Sequence, residues 1–154
     1  MYIHPEKDSF SKVELAFYPA QLDTTSFTGW IHDRMEINVE KRLMKLDLQM
    51  ILKPFTNRPG KQWWAGEHAG KFLHAATLAW QFTGRDDLFT RLKFVAEQLI
   101  ATQQIDGYLG TYAAKDQLSE GDGLGWDGPV WDVWTHKYAI IGLLSYHLAT
   151  DEPR

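Results

Sequence analysis

Two runs of this chain gather the side chains that sugar chemistry uses. In the first, Trp63-Trp64 leads into Glu67-His68; in the second, Trp131-Asp132-Val133-Trp134 leads into His136. Between them stands Tyr108, in Asp106-Gly107-Tyr108. Indole and phenol rings stack on the apolar faces of sugar rings while their polar tips reach hydroxyls. A carboxylate accepts from hydroxyls. A neutral imidazole hydrogen-bonds a hydroxyl, and an imidazolium steadies a carboxylate. The candidate substrate-binding set is therefore Glu67, His68, Trp64, Tyr108, Trp131, Asp132 and His136.

Each of these residues has a plainer competing role. Glu67 suits a helix start, where the dipole favours an anion. Asp106 fixes the turn that Asp-Gly prefers, which leaves Tyr108 to project with a free hydroxyl. His136 can bond a loop carbonyl, and any single aromatic can simply fill core. Glycosidases need two carboxyls about 5–10 Å apart. Asp132 has no carboxylate partner close in sequence, so Glu67 and Asp132 can meet only through the fold. The pair Glu67-His68 is too local for a metal, which wants three or more converging ligands. No catalytic residue and no metal ligand is assigned.

The elements that must position these groups are helical. The 154 residues suffice for one domain with a core, and 44% hydrophobic residues is an ordinary globular share. The rings stand out: seven Trp, six Tyr and eight Phe. Net charge is -4 with no basic stripe, which argues against nucleic acid as a partner. Cysteine is absent, so this chain holds no disulfide, no thiolate nucleophile and no cysteine-ligated zinc. Met1 to Phe10 has no apolar signal region, and the run near Ala139–Leu144 is too short to span a bilayer. A cytoplasmic location without membrane contact is the default expectation.

Residues 1–26 read as an extended segment, with a short strand suggested by Val13, Leu15 and Phe17. Residues 27–154 read as helices. The first runs from about Gly29 to Lys45 with Ile31, Met35, Val39 and Leu43 on one face. A short turn through Leu52 is closed by Pro54, and a loop follows over 56–62. The helix after Gly66 is apolar on most sides up to Phe82, and Gly84 caps it. Asp86 is placed to N-cap the next helix, with Leu88, Leu92, Val95 and Leu99 as its stripe. A glycine-rich acidic loop over 119–128 precedes a last helix from about Pro129 to Ala149, whose apolar surface includes Val133, Ile140, Ile141, Leu144 and Leu148. The helix ends around Phe82-Thr83 and Ala149-Thr150 echo one another, each followed by an acidic turn. Repeats of this size suggest helical hairpins stacked in a solenoid or a closed ring.

Three motifs in order carry a resemblance: Trp64-Ala65-Gly66-Glu67-His68-Ala69-Gly70-Lys71, Thr102-Gln103-Gln104-Ile105-Asp106-Gly107-Tyr108-Leu109-Gly110, and Trp131 to Tyr138. With Leu46-Asp47, Pro54-Phe55 and Arg58-Pro59-Gly60 they resemble the N-terminal part of the glycoside hydrolase family 127 catalytic domain, the β-L-arabinofuranosidases, over about residues 27–151. The resemblance implies an all-α fold, part of an (α/α)6 toroid of helical hairpins, with the active site at the mouth formed by inner-helix ends. It implies retaining hydrolysis of arabinofuranosides by a zinc-bound cysteine with a glutamate as acid/base. Those groups belong to the later part of the family domain, so no cofactor is expected in this chain, and zinc only in a full-length relative. Only substrate contacts from the early helices carry over, His136 first.

The expectation is a truncated catalytic domain: a fragment of a glycoside hydrolase on L-arabinofuranosides or related plant-type sugars. It supplies part of the cleft and is inactive alone. The alternative is a small helical module that binds carbohydrate or self-associates. A truncated ring leaves apolar helix faces uncovered, which points to a homo-oligomer.

Overall fold

A computed structural model describes residues 25–119 and 131–150. The strand expected near Val13, the loop over 120–128, the helix start at Pro129 and the terminal turn over 151–154 lie outside the described residues. The described residues form an all-α fold without strands: α1 (Trp30–Asn38), α2 (Leu48–Thr56), α3 (Glu67–Thr83), α4 (Asp86–Ile100) and α5 (Asp132–Thr150). A wider π turn, Val39–Leu43, continues α1, and a short 3-10 turn, Ala114–Asp116, precedes α5.

The first helix departs from its expected face. Val39 and Leu43 are buried, but Ile31 is exposed, and no α1 residue is buried. The π turn widens the helix where it meets the core, so only its C-terminal end docks. Arg85 fastens that end by bridging Glu40 and Asp87.

Residues 48–56 form a helix that passes through Pro54 instead of stopping before it. Asp47 caps it, its Oδ1 accepting from Gln49 N at 3.0 Å and Met50 N at 3.2 Å. Proline removes one donor, but Ile51, Leu52 and Phe55 are buried on the face that packs on the core. Burying a large apolar side chain is worth roughly 1.5–3 kcal/mol, so three of them outweigh one lost hydrogen bond.

Gly84 ends α3 in the left-handed conformation, its N–H bonded to Trp80 O at 2.8 Å. The chain then returns as α4, with Trp80 and Phe89 stacked at 4.7 Å across the hairpin. The α4 stripe of Leu88, Leu92, Val95 and Leu99 is fully buried. Its N-cap is Arg85 and not Asp86, which is the first helical residue; Asp87 Oδ1 accepts from Leu88 N instead.

The α3–α5 crossing sets the geometry of the molecule. A Cβ on Gly66 would lie 2.3 Å from Thr135 Cγ2, one on Gly70 2.1 Å from Tyr138 O, and one on Gly142 2.6 Å from Gly70 O. The contacts advance together along both helices, so α3 and α5 run parallel and their N-terminal ends lie side by side. The small residues Gly70, Ala139 and Gly142 make this seam. As a consequence Tyr146 and Leu143 are the large α5 residues that reach the core, and most of the others do not. Val133, Ile140, Leu144 and Leu148 are exposed, and the buried α5 residues are Asp132, Thr135, Ala139, Gly142 and Tyr146. On α3, Leu78 is likewise exposed.

Candidate functional site

Both tryptophan runs arrive at the paired N-terminal ends of α3 and α5. Glu67 is in the first turn of α3 and Asp132 in the first turn of α5. Trp134 Nε1 donates to Glu67 Oε2 at 2.5 Å, tying the two helix ends together. Lys71 Nζ is 2.7 Å from Glu67 Oε1, one helical turn on. Burial pushes the Glu67 carboxyl up, but the hydrogen bonds from Lys71 and Trp134 and the charges of Lys71 and His68 outweigh it and hold the group below its ordinary value. Glu67 is a held anion.

Around it the rings form a row. Trp64 and Trp131 meet edge-to-face at 6.0 Å, Trp131 and Trp134 at 5.7 Å, and Trp134 and Tyr138 at 5.3 Å. Lys137 Nζ sits 3.3 Å from the Trp134 ring centre and 4.3 Å from that of Tyr138. Lys71 covers Tyr138 at 4.6 Å. Trp64 and Trp134 are exposed, and Trp131 is half-buried. The row therefore offers ring edges and faces at the surface at its Trp64 and Trp131 end, with cations over Trp134 and Tyr138.

The remaining candidates form a second, interior cluster. Tyr108 is buried, and its hydroxyl is not free: it donates to Asp132 Oδ1 at 2.9 Å and accepts from Tyr112 N at 3.0 Å. Burial pushes its phenol well up, and the adjacent Asp132 carboxylate adds to this. Asp132 is 1% exposed, and its Oδ2 accepts from Leu118 N at 2.9 Å. Its two oxygens thus tie the start of α5 to Tyr108 and Leu118. Asp106 does fix its turn, Oδ1 accepting from Tyr108 N at 3.1 Å, and Gly107 has φ 91°.

His136 uses both nitrogens. Nε2 accepts from Leu109 N at 3.2 Å, so the proton is on Nδ1, which lies 2.8 Å from Asp132 O. Its ring packs on Tyr108 at 4.9 Å. His136 forms part of the wall of an apolar cavity of about 480 Å³ with Ile100, Leu109, Ile140 and Leu143. His68 is exposed on the first turn of α3, with Nδ1 4.0 Å from Glu67 Oε1.

The fold thus sorts the sequence-derived set in two. Trp64, Glu67, His68 and Trp131 meet at the surface of the paired helix ends, and Tyr108, Asp132 and His136 form the scaffold behind. The two carboxylates do not bond to each other. Sequence reasoning passed over Lys71, Lys137 and Tyr138, although Lys71 stands at i+4 from Glu67 and Lys137 at i+3 from Trp134, the spacings at which helical side chains meet. It also passed over the scaffold role of Arg58, whose guanidinium donates to Gly110 O at 2.7 Å and Thr102 O at 2.9 Å while lying over Tyr108.

The residues present do not fit a thiolate zinc centre: the sequence has no cysteine, and among the described residues no three His, Asp or Glu side chains converge. No helix among the described residues is long and apolar enough to cross a membrane. In comparison with known proteins, the family described as Beta-L-arabinofuranosidase, GH127 catalytic domain, matches residues 17–154. No curated protein and no solved structure matches.

Proposed function

The chain belongs to the β-L-arabinofuranosidase family, glycoside hydrolase family 127, and from that premise we propose that its paired α3 and α5 ends supply one wall of a furanoside-binding cleft. The observation that carries this reading is the row Trp64, Trp131, Trp134 beside the held anion Glu67. Rings in such a row take the apolar face of a sugar, and Glu67 accepts from hydroxyls at its edge. His68 adds an exposed imidazole one residue on. Tyr108, Asp132 and His136 are positioning residues: their bonds to Tyr112, Leu118 and Leu109 tie residues 108–118 to the start of α5.

The substrate class follows the family: L-arabinofuranosides or related plant-type sugars. The parallel pair α3 and α5, with α4 returning between them, fits neighbouring inner helices and an outer helix of an (α/α)6 toroid. Neither of the two carboxylates at these helix ends is placed as a nucleophile, since Asp132 is buried on two donors and Glu67 is held by Lys71 and Trp134. We therefore assign binding, and not bond cleavage, to this chain.

Tryptophan fluorescence tests the assignment. Titration with methyl L-arabinofuranoside is expected to quench the native protein. Trp131→Ala is expected to weaken binding about three- to tenfold, the worth of one ring contact. The native chain is expected to leave aryl arabinofuranosides uncleaved. An unchanged affinity in Trp131→Ala removes the ring row from the cleft, and turnover that disappears in His136→Ala overturns the non-catalytic assignment.

A further inference from the structure

A second cavity lies beside the ring row and shares only His68 with the reading above. It has a volume of about 660 Å³, within the size range of ligand pockets, between the C-terminal end of α2, the loop over 57–62 and the first turn of α3. Its polar wall is Lys53, Asn57, Lys61, Gln62 and His68. No Asp or Glu lines it, although the chain as a whole carries a net charge of -4. Among the described residues neither lysine is paired with a carboxylate. Elsewhere Arg85 has Glu40 and Asp87, and Lys71 has Glu67. The cavity is thus a local positive concavity on an acidic protein, the arrangement that gathers anions.

We propose that this cavity is a subsite for the carboxylate of a uronic acid unit in the carbohydrate that the ring row holds. The proposal rests on the sugar-binding reading and names a further part of its ligand. The two ammonium groups meet the carboxylate by charge-assisted hydrogen bonds. The carboxamides of Asn57 and Gln62 each offer donors and an acceptor, which suits hydroxyls rather than a bare ion. Ala65 and His68 line the cavity, while Trp64 and Glu67 belong to the ring row, so one glycan lying across the start of α3 touches both.

A phosphate is the poorer fit. Phosphate sites favour arginine forks or helix N-terminal amides. No arginine lines this cavity, and besides the first turn of α3 it abuts the C-terminal end of α2, where Asn57 is the cap and the helix dipole opposes a dianion. A single negative charge surrounded by hydroxyls meets less opposition.

The test is calorimetric titration of the whole chain with D-galacturonate, D-galactose, methyl L-arabinofuranoside and inorganic phosphate. It is repeated on Lys53→Gln/Lys61→Gln and on Trp131→Ala. Both lysines are exposed, so the double variant keeps the core. Galacturonate is expected to bind about tenfold more tightly than galactose. That preference should vanish in the double glutamine variant and at about 1 M salt, while Trp131→Ala weakens both sugars and keeps their ratio. A preference that survives the double variant overturns the proposal, as does equal binding of galacturonate and galactose. Phosphate binding more tightly than galacturonate also overturns it. Arabinofuranoside binding with no uronate preference removes the subsite and leaves the cleft. Lysine-dependent galacturonate binding without any arabinofuranoside binding does the reverse.

Discussion

At the scale of single residues, the two helix-end carboxylates sit in different surroundings and do different work. Glu67 is a partly buried anion whose folded pKa lies below the ordinary 4.5. A carboxyl depressed on folding contributes stability that is present above its unfolded value and is lost as pH falls through the folded value. The melting-temperature gap between the native chain and Glu67→Gln should therefore be constant above about pH 5 and close on acidification below about 4.5. A gap that stays constant down to about pH 3 would show that the Lys71 and Trp134 contacts are energetically empty. Asp132 depends on Tyr108. Tyr108→Phe strands Asp132 Oδ1 and Tyr112 N, both in buried surroundings, and should cost about 1–3 kcal/mol in urea unfolding at neutral pH. Burial pushes the Tyr108 phenol up, and that of Tyr112 to about 12, from an ordinary 10.0. Groups raised on folding contribute stability that is present below the unfolded value and is lost as pH rises through the folded one. Stability should thus fall above about pH 10, and less steeply in Tyr108→Phe; equal slopes would contradict the burial seen for this hydroxyl.

At the scale of elements, the seam between α3 and α5 is a glycine contact. Gly70→Ala would place Cβ 2.1 Å from Tyr138 O, a backbone atom that cannot rotate away. Alanine ordinarily stabilises a helix interior by up to about 1 kcal/mol over glycine. Here the two helices must separate, and a net loss of about 2 kcal/mol or more in the urea midpoint is expected, with the Trp134–Glu67 bond weakened. Gly84→Ala has open space and only the left-handed φ of 66° against it, so about 1 kcal/mol is expected there. If Gly70→Ala costs no more than Gly84→Ala, the close crossing is wrong. The same seam explains what the sequence could and could not tell. The α4 stripe of Leu88, Leu92, Val95 and Leu99 was legible because its period and its burial agree. In α5 Val133, Ile140, Leu144 and Leu148 are exposed and the seam is made of small residues, so hydrophobicity alone does not locate the face that packs. Pro54 read as a stop because local propensity is blind to the packing of Ile51, Leu52 and Phe55. The helix starts that carry the site, at Glu67 and ahead of His136, were legible from the ring-rich runs. The Glu67–Trp134 bond was not, since no local rule joins residues on two different helices. For the same reason Tyr108, legible as a ring after a turn, could not be seen as the buried partner of Asp132.

At the scale of the molecule, α5 leaves Val133, Ile140, Leu144 and Leu148 exposed along one side. The spacing keeps them near a single stripe, beside the half-buried Leu143 and the cavity that His136 borders. A contiguous apolar strip of this kind is a contact surface or an aggregation liability. Covering it would remove four large side chains from water at roughly 25 cal/mol per Å² of apolar area. Against that stands the entropy of association, several kcal/mol at least. A two-fold pairing of the strip with itself buries it on both partners at once, which makes a second copy of the chain an economical cover. Sedimentation of the native chain is therefore expected to show mass rising with concentration, and Ile140→Glu/Leu144→Glu to return it to monomer. The ring row should be untouched by that change, because Trp131 and Trp134 pack on Trp64 and Glu67 at the helix end. Sugar quenching in the double glutamate variant should therefore equal that of the native chain. A native chain that stays monomeric at high concentration, with no binding of an apolar dye, would sink self-association. Quenching lost together with association would place the cleft between two copies and not within one.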